Sequence, residues 1–475
     1  MKRKIAAFIL SAMIALSALG GCAQAETPER EPITFTEEEL SRETKMVPNP
    51  DLTGELTFRY YYGLSPDPTY RDNVLYAMYR EYFPNVDLRV EAIDVGDMPI
   101  ESYQTQLAAE VMAGSGPDVV FIEMESGAYI NPYKMMQAGA FLDLTDYFRN
   151  DANCNPSDFY QPVMDAGRYR GRQYLVPVQF QCPMIITTRE IAEQTGFHPE
   201  NCVDLKSTWE ELLPVLRENP MNLPEKEMIY NLYTPYMVPK YAGFSWIDCE
   251  TQQVHLEDPR LKEYCAFIKD DLSAYTNAQA PIKSGDDFSV SLKQQKNLFI
   301  DYSNGCLFNL TRFNFRYLNT DGVNDILLLP WRSVDGGIEV FINEVIGVTQ
   351  NSRNPEAAYQ LIKLWISEEF FANPDVWGQD GAPAASKAAM EAYMKLMQEP
   401  LVIYRDNYGV QDAPGLSQDL VDQYLGVLDG ITSARLSSPE LYTVQDGLRD
   451  YFNGNRSYES CISELQSKLE IYVTE

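Results

Sequence analysis

The strongest constraint on the fold is a helical pattern, a break and an unbroken apolar run that follow one another within residues 103–122 (YQTQLAAEVMAGSGPDVVFI). Apolar side chains recur at steps of three and four residues up to Met112, which predicts a helix with one buried face. The segment GSGP ends this helix, because glycine relaxes the backbone and proline cannot continue the hydrogen-bond ladder. The run VVFI does not alternate with polar residues, which is typical of a strand covered on both faces of a parallel sheet.

The pattern of residues 56–90, upstream of this run, predicts the kind of sheet to which the strand belongs. Residues 56–60 alternate apolar and polar side chains, residues 70–82 carry an apolar helical face, and residues 86–90 alternate again. The order β-α-β-α-β predicts a parallel sheet with right-handed crossovers, and therefore an α/β fold. Ligands of open α/β sheets bind beyond the carboxyl ends of the strands. Glu123 and Glu125, which follow the apolar run, are therefore candidate ligand-binding residues.

The first 54 residues carry export and anchoring signals. Basic residues 2–4 precede an apolar run over residues 5–19, which is too short for a comfortable membrane span and is typical of a signal peptide. The segment LGGC that ends at Cys22 resembles a bacterial lipobox, which implies cleavage before Cys22 and a diacylglycerol on its sulfur. An ordinary signal peptide with an incidental cysteine is the alternative. Residues 22–54 are acidic and poor in large apolar groups, which predicts a lipid-anchored, solvated tether.

Composition excludes several classes of partner and site. The chain carries 69 acidic and 38 basic residues, and its formal charge of −31 repels nucleic acid phosphates and anionic lipid headgroups. It has two histidines and no C-x-x-C pair among eight cysteines, so we expect no metal and no cofactor. The odd number of seven cysteines after Cys22 favours buried free thiols over a disulfide framework. A single disulfide bond between two of them is the alternative.

Five segments, in this order and spacing, resemble one known family. They are residues 113–120 (AGSGPDVV), 139–145 (GAFLDLT), 171–178 (GRQYLVPV), 207–212 (STWEEL) and 354–358 (NPEAA). Together they resemble the family-1 extracellular solute-binding proteins of ABC transporters, the maltodextrin-binding-protein-like group. The chain departs from the family at Arg172, where lysine is common, and at residues 188–190 (TRE), where asparagine, lysine and aspartate usually stand.

The resemblance implies an α/β, two-lobe periplasmic-binding-protein-like fold of type II, with a ligand cleft between lobes that crossing hinge strands join. It implies a signal peptide at residues 1–21 and a tether at 22–54. The first lobe would comprise residues 55–178 and 345–381, and the second lobe residues 179–344 and 382–475. Such a protein is expected to be a monomer on the outer face of the cytoplasmic membrane and to deliver its solute to the transmembrane subunits of an ABC permease.

The cleft of this family lies at strand ends and lobe crossings. The chain contains 31 tyrosines, and a tyrosine ring covers apolar sugar faces while its hydroxyl bonds sugar hydroxyls. We therefore expect a carbohydrate ligand. The residues predicted to bind it are Tyr61, Tyr62, Glu123, Glu125, Gln179, Gln181, Trp246, Tyr302, Asn304 and Asp380.

The implied function is binding of a sugar or oligosaccharide without catalysis. A surface glycoside hydrolase is an alternative, because its chemistry needs two nearby carboxylates and the chain has many. However, the chain has no Gly-x-Ser-x-Gly, His-Glu-x-x-His or P-loop motif. A receptor for an oligopeptide or another small solute is the third interpretation.

Overall fold

The computed structural model describes residues 35–62, 71–94, 98–124, 130–218, 229–230, 237–272, 298–301, 325–373, 384–405, 409–437 and 439–474. The chain divides into Met1–Phe35 and Thr36–Glu475, and the folded architecture belongs to the second of these units. Cys22 and the predicted signal peptide lie outside the described residues.

The strands are numbered in chain order: β1 (Gly54–Tyr62), β2 (Val86–Asp94), β3 (Val119–Glu123), β4 (Arg168–Tyr169), β5 (Arg172–Gln173), β6 (Leu175–Gln181), β7 (Met184–Thr188), β8 (Ile229–Tyr230), β9 (Ile247–Asp248), β10 (Gln253–Val254), β11 (Phe299–Asp301), β12 (Ile326–Pro330), β13 (Ile338–Val348), β14 (Leu401–Arg405), β15 (Gly409–Ala413) and β16 (Ile431–Leu436). The α-helices span Glu37–Leu40, Arg71–Tyr82, Ile100–Met112, Pro132–Gln137, Thr145–Asn150, Gln161–Asp165, Arg189–Thr195, Leu205–Glu218, Pro259–Phe267, Pro355–Trp365, Glu368–Phe371, Lys387–Met397, Gln418–Asp429, Pro439–Phe452 and Tyr458–Thr474. Of the helices in the described ranges, none is both long and apolar enough to cross a bilayer.

The first sheet confirms the predicted β-α-β-α-β run. β1 pairs in parallel with β2 and with β3, and the order continues from β3 to β13 and β16. The break before β3 is also as predicted, because Gly114 has a φ of +71° and an added Cβ would lie 2.6 Å from Asn351 Nδ2. A side chain there would be strained as well as crowded. The apolar residues of β3 are at most 3% exposed, as expected for a strand covered on both faces.

Helix Pro355–Trp365 covers this sheet with an aromatic contact. The ring of Trp365 stacks on Phe121 of β3, with centroids 5.3 Å apart, and meets Phe58 of β1 edge-on at 5.6 Å. All three side chains are buried. Large aromatic rings supply much of the apolar area that stabilises a core, and these pairings add to it. The helix is therefore fixed against β1 and β3 together.

Asp118 ties the start of β3 to two other segments. Its Oδ2 accepts hydrogen bonds from the Thr57 backbone N–H (2.8 Å) and hydroxyl (2.7 Å) on β1. Its Oδ1 accepts from the Ser352 hydroxyl and the Arg353 backbone N–H, both at 2.9 Å. Burial alone raises the pKa of Asp118, but the hydrogen bonds from Thr57, Arg353 and Ser352 outweigh burial and lower the pKa. The carboxylate therefore holds three segments of the first lobe in register.

Two strand pairs carry the chain between the lobes. β6 pairs with β13 in the first sheet, and only two residues separate β6 from β7 in the second sheet. The second sheet has the order β12-β7-β11-β8, and the chain returns from β12 through residues 331–337 to β13. This is the two-lobe α/β fold expected from the sequence. The predicted lobe limit between residues 381 and 382 lies outside the described residues.

Asp301 connects two aromatic side chains in the core of the second lobe. This carboxylate is 1% exposed and accepts hydrogen bonds from the Tyr241 hydroxyl at 2.6 Å and from Trp331 Nε1 at 2.9 Å. The two rings also stack in parallel, with centroids 4.9 Å apart. Buried polar groups stabilise a core only when they are bonded, and here each ring bonds the same carboxylate. The bonds fix the turn Met237–Tyr241 against β11.

Residues 36–53, which the sequence assigns to the solvated tether, lie along the first lobe as an N-terminal strap. Glu39 is 5% exposed and forms an ion pair with Arg149 at 3.2 Å. Asn155 Nδ2 donates to two carbonyls of the strap, each at 3.0 Å, and Met46 is 6% exposed. Most of this docking uses backbone hydrogen bonds, which leave no apolar pattern in the sequence.

β16 adds to the first sheet although residues 382–475 are predicted to belong to the second lobe. It pairs in parallel with the first half of β13, next to the crossing. The helix before it, Gln418–Asp429, packs against β12 of the second sheet through Gln423. The segment therefore spans the hinge, and the predicted lobe limits stay a prediction.

Candidate functional site

The two crossing strands meet at a small cavity, here called the crossing pocket. Gln181 ends β6, and Asn343 lies on β13 at the bulge between Ile342 and Glu344. The pocket has a volume of about 20 Å³, which is enough for one water molecule. The residues that line it are Gln181, Pro239, Lys240, Asn343, Ser437, Leu441, Tyr442 and Gln445.

Asn343 connects the pocket to three strands. Its carbonyl accepts a hydrogen bond from the Met124 N–H at 2.6 Å, just beyond β3. Its Oδ1 accepts from the Ser437 hydroxyl at 3.1 Å, beyond β16. Asn343 is 1% exposed, and its Nδ2 has no hydrogen-bond partner among the described residues. A buried donor left unbonded costs about 1–3 kcal/mol, so this amide favours a bound acceptor.

Six of the eight residues that line the pocket carry hydrogen-bonding side chains, and Pro239 and Leu441 are apolar. Gln181, Asn343 and Gln445 supply amides, Ser437 and Tyr442 supply hydroxyls, and residue 240 supplies an ammonium group. No carboxylate occurs among the described residues that line it. Such a set can donate to, and accept from, a polyhydroxylated solute.

Gln104 links the end of β3 to Ile130. This side chain is 2% exposed, and its Nε2 donates to the Glu123 carbonyl at 2.9 Å. Its Oε1 accepts from the Ile130 N–H at 3.2 Å. Gln104 thereby holds Glu123 and Ile130 near each other. The signal in the sequence is a glutamine between two apolar positions of a buried helix face, and it was not recognised as functional.

The lobes also touch away from the pocket. The Arg170 N–H, in the turn between β4 and β5 of the first lobe, donates to Glu250 Oε1 in the turn between β9 and β10 at 2.8 Å. Lys134 Nζ lies 5.8 Å from the ring centroid of Tyr472 in the last helix. A hydrogen bond to a charged group and a cation–π contact each stabilise the arrangement in which the lobes meet.

A family model described as bacterial extracellular solute-binding protein matches residues 66–299. That match covers β2 to β10, including the first crossing from β6 to β7. The chain belongs to the bacterial extracellular solute-binding proteins. Members of the family bind solutes, and this solute-binding protein is not an enzyme. A search of curated proteins gives no match.

Solved structures similar to this solute-binding protein share its fold at low sequence identity. One is a family-1 extracellular solute-binding protein from Alicyclobacillus acidocaldarius, at 13% identity and a TM-score of 0.61, covering 89% of this chain and 99% of that chain. The sugar-binding protein MalE from Xanthomonas citri has 11% identity and a TM-score of 0.64, covering 88% and 97%. The cyclic α-maltosyl-1,6-maltose binding protein from Arthrobacter globiformis has 12% identity and a TM-score of 0.58, covering 89% and 99%.

The structure of this solute-binding protein brings only part of the predicted site together. Gln179 and Gln181 are 2% and 4% exposed on β6, and both pair with β13. Glu123 ends β3 and is partly exposed. The pocket partners of Gln181 from the second lobe were missed, because they lie up to 264 residues away along the chain. No local pattern marks them.

The predicted aromatic residues are packed rather than open. Tyr61 is 4% exposed, its hydroxyl donates to the Met98 carbonyl at 3.1 Å, and its ring stacks on Tyr103 at 4.8 Å. Trp246 is 1% exposed and lies beside Phe244, with ring centroids 5.7 Å apart. Tyr62 ends β1. The remaining predicted residues lie outside the described residues: Glu125, Tyr302, Asn304 and Asp380.

The cysteines and acidic groups give no sign of a reactive or metal centre. Burial raises the pKa of the Cys182 thiol, between the crossing strands, to about 12, so the thiol stays protonated near neutral pH. Among the described cysteines, Cys154, Cys182, Cys202, Cys265 and Cys461 are free thiols. In the described ranges, no group of three or more His, Cys, Asp or Glu side chains is placed to hold a metal ion.

Proposed function

We propose that this protein is the lipid-anchored receptor of an ABC importer and binds a sugar or oligosaccharide in the cleft at the crossing strands. The observation that carries the proposal is the buried Nδ2 of Asn343, which lacks a partner among the described residues. Asn343 lines the crossing pocket together with side chains that carry amides and hydroxyls. Sugar hydroxyls both accept and donate, so they match such a set. The named ligands of similar structures, mannotriose and maltose, belong to the same chemical class.

Closure of the lobes would complete the site. Gln181 and Asn343 stand on the crossing strands, whereas Tyr442 and Gln445 stand on helix Pro439–Phe452. A solute that contacts both groups binds the closed arrangement better than an open one, and therefore shifts the population toward closure. The contact between the β4–β5 and β9–β10 turns would form in the same movement. The permease would then receive the closed, loaded receptor.

Isothermal titration calorimetry with the chain from residue 23 onward tests the binding step. Monosaccharides, malto- and manno-oligosaccharides and short peptides are titrated into wild type, Asn343→Ala and Asn201→Ala. Asn201 is an exposed asparagine of the second lobe and serves as the matched control. We expect one sugar class to bind, the N343A variant to lose about tenfold to a hundredfold in affinity, and N201A to bind as wild type.

Two results would overturn part of this proposal, the first its ligand class and the second its binding site. One is binding of peptides but of no sugar, which would make the protein a peptide receptor. The other is unchanged sugar affinity in N343A, which would place the solute elsewhere. The anchor is tested separately by expressing the full chain with Cys22→Ala. We expect wild type in the membrane fraction and the variant in the soluble fraction, and equal partitioning would refute the lipid anchor.

A further inference from the structure

We propose that the crossing pocket binds an acetamido group, so that the solute is an N-acetylated amino sugar or an oligosaccharide that contains one. This inference rests on the proposed function, because it names the class of sugar that the same site would take. Two observations at one cavity carry it. One is the buried donor Nδ2 of Asn343, which lacks a partner among the described residues. The other is the pair of apolar side chains, Pro239 and Leu441, that line the same cavity.

The amide of Asn343 is held in one orientation. Its Oδ1 accepts a hydrogen bond from the Ser437 hydroxyl at 3.1 Å, and its backbone carbonyl accepts one from the Met124 N–H at 2.6 Å. The residue is 1% exposed and lies at the bulge of β13. The donor Nδ2 is therefore fixed before a solute arrives, and little conformational entropy is lost when an acceptor binds it.

The unbonded donor favours an acceptor that brings no donor of its own to the same place. A buried donor without a partner is destabilising, so the group that enters the pocket has to accept from Nδ2. The carbonyl oxygen of an acetamide only accepts, whereas a sugar hydroxyl also carries a proton that needs a partner once it is buried. The carbonyl oxygen therefore suits Nδ2 of Asn343 better than a hydroxyl does.

The apolar part of the wall suits the methyl group. Pro239 is buried in the turn Met237–Tyr241, and Leu441 is 6% exposed on helix Pro439–Phe452. Neither side chain can bond a hydroxyl, so a group with hydroxyls alone gains no hydrogen bond from this part of the wall. An acetamido group offers a carbonyl oxygen to Asn343 and a methyl group whose burial against the two apolar side chains is favourable.

The volume of the pocket restricts which part of the solute enters. About 20 Å³ is room for one water molecule, so a sugar ring is excluded. The acetamido group projects from C2 of the sugar ring on a single bond, and its carbonyl oxygen is about the size of a water molecule. The carbonyl can therefore reach Nδ2 of Asn343 while the ring remains outside the pocket.

Calorimetry with matched sugars tests this inference on the wild-type chain from residue 23 onward. Triacetylchitotriose and cellotriose share the ring and the linkage, and they differ only in the acetamido or hydroxyl group at C2 of each ring. N-acetyllactosamine and lactose form a second pair, and N-acetylgalactosamine and galactose form a third. For at least one acetylated sugar we expect tenfold or greater preference over its hydroxyl counterpart.

Two variants locate the preference. Asn343→Asp keeps the shape of the side chain and replaces the donor with an oxygen that repels an acetamido carbonyl, so the preference should disappear. Leu441→Asn replaces an apolar wall with an amide of similar size and should reduce the preference at least threefold. Asn201→Asp is the matched control, because Asn201 is exposed on the second lobe, and it should keep the wild-type preference. A thermal melt of each variant checks folding.

The wild-type comparison decides the inference even where a variant does not fold. Binding of hydroxyl sugars as tightly as of their acetylated counterparts would overturn the acetamido inference and leave the sugar-receptor proposal standing. A preference that survives in N343D would also overturn it, because the acetamido group would then bind elsewhere. Failure of every sugar, acetylated or not, to bind would overturn both proposals.

Discussion

Replacing Asp118 with asparagine should destabilise the first lobe, and the loss should depend on pH. In the wild type, one carboxylate accepts four hydrogen bonds, two from Thr57 and one each from Ser352 and Arg353. Asparagine can offer its oxygen to only one of these pairs. Its NH₂ group then faces a backbone N–H of Thr57 or Arg353, and neither of those can accept a hydrogen bond.

The magnitude follows from the bonds that are lost. A hydrogen bond to a charged group contributes about 1.5–3 kcal/mol. One such bond to a backbone N–H is lost outright and the others lose their charge assistance, although partial exposure of Asp118 weakens all of them. We therefore expect a loss of about 2–4 kcal/mol. For a unit of 150–250 residues this lowers the melting temperature by about 2–4 °C per kcal/mol.

The pH dependence of the stability difference shows how much of it comes from the charge of Asp118. The pKa of Asp118 is lowered in the folded protein, so its contribution is fully present above the unfolded pKa of about 3.9 and is lost as pH falls through the folded value. The difference in stability between wild type and D118N should be constant from pH 7 to about pH 5 and shrink below about pH 4. Other carboxylates titrate in both proteins and cancel in this difference.

Thermal and urea unfolding, followed by circular dichroism between pH 3 and pH 7, measures both quantities. Asp87→Asn is the control, because Asp87 is an exposed residue of the same sheet that pairs with Arg89 at 3.0 Å. A surface pair of this kind is worth about 0–1 kcal/mol. If D118N were no less stable than D87N at pH 7, or if its deficit did not diminish in acid, the four-bond account of Asp118 would be refuted.

Three further predictions concern single contacts. Lys363→Met should lower stability by about 3–5 kcal/mol in urea unfolding, because it removes the cation that lies 2.6 Å from the largely buried Asp151 carboxylate. Adding Asp151→Asn should restore part of the loss, and no restoration would exclude the ion pair as the cause. Gly167→Ala should lower the free energy of unfolding by about 1–3 kcal/mol, because an added Cβ would lie 1.9 Å from the Leu175 carbonyl oxygen. Thermal melting measures this loss, and a wild-type melting temperature would contradict the crowding. Glu250→Ala should weaken solute binding about fivefold, because it removes the hydrogen bond from the Arg170 N–H that joins the two lobes. Calorimetry measures the affinity, and an unchanged value would show that this bond does not stabilise closure.

Local sequence pattern was enough to predict the secondary structure near the start of the fold. The apolar run at residues 119–122 predicted a doubly covered strand, and GSGP predicted the break before it. Both depend on steric and burial rules that act within a few residues. The helix that begins at Pro355, after Asn354, follows the same kind of local rule, because proline suits the first position of a helix. The ordered motifs then led to the solute-binding family and its two-lobe fold.

The docking of residues 36–53 shows where pattern was insufficient. Low hydrophobicity predicted a solvated segment. In the structure, Glu39 is paired with Arg149, and Asn155 bonds the backbone of the strap. These partners lie more than a hundred residues away, and a backbone amide has the same chemistry in every residue. The sequence therefore contains the donors and acceptors but not their pairing.

The candidate site, too, is determined partly by local sequence pattern and partly by tertiary structure. The sequence alone determined that an α/β crossing carries glutamines at 179 and 181, because a strand motif and its spacing fix those positions. Only the tertiary structure decided that Gln181 shares a cavity with Lys240 and Asn343, and that Tyr61 is packed on Tyr103. Secondary structure follows from neighbours in the chain, whereas a binding pocket depends on where distant segments meet when their apolar faces are buried together.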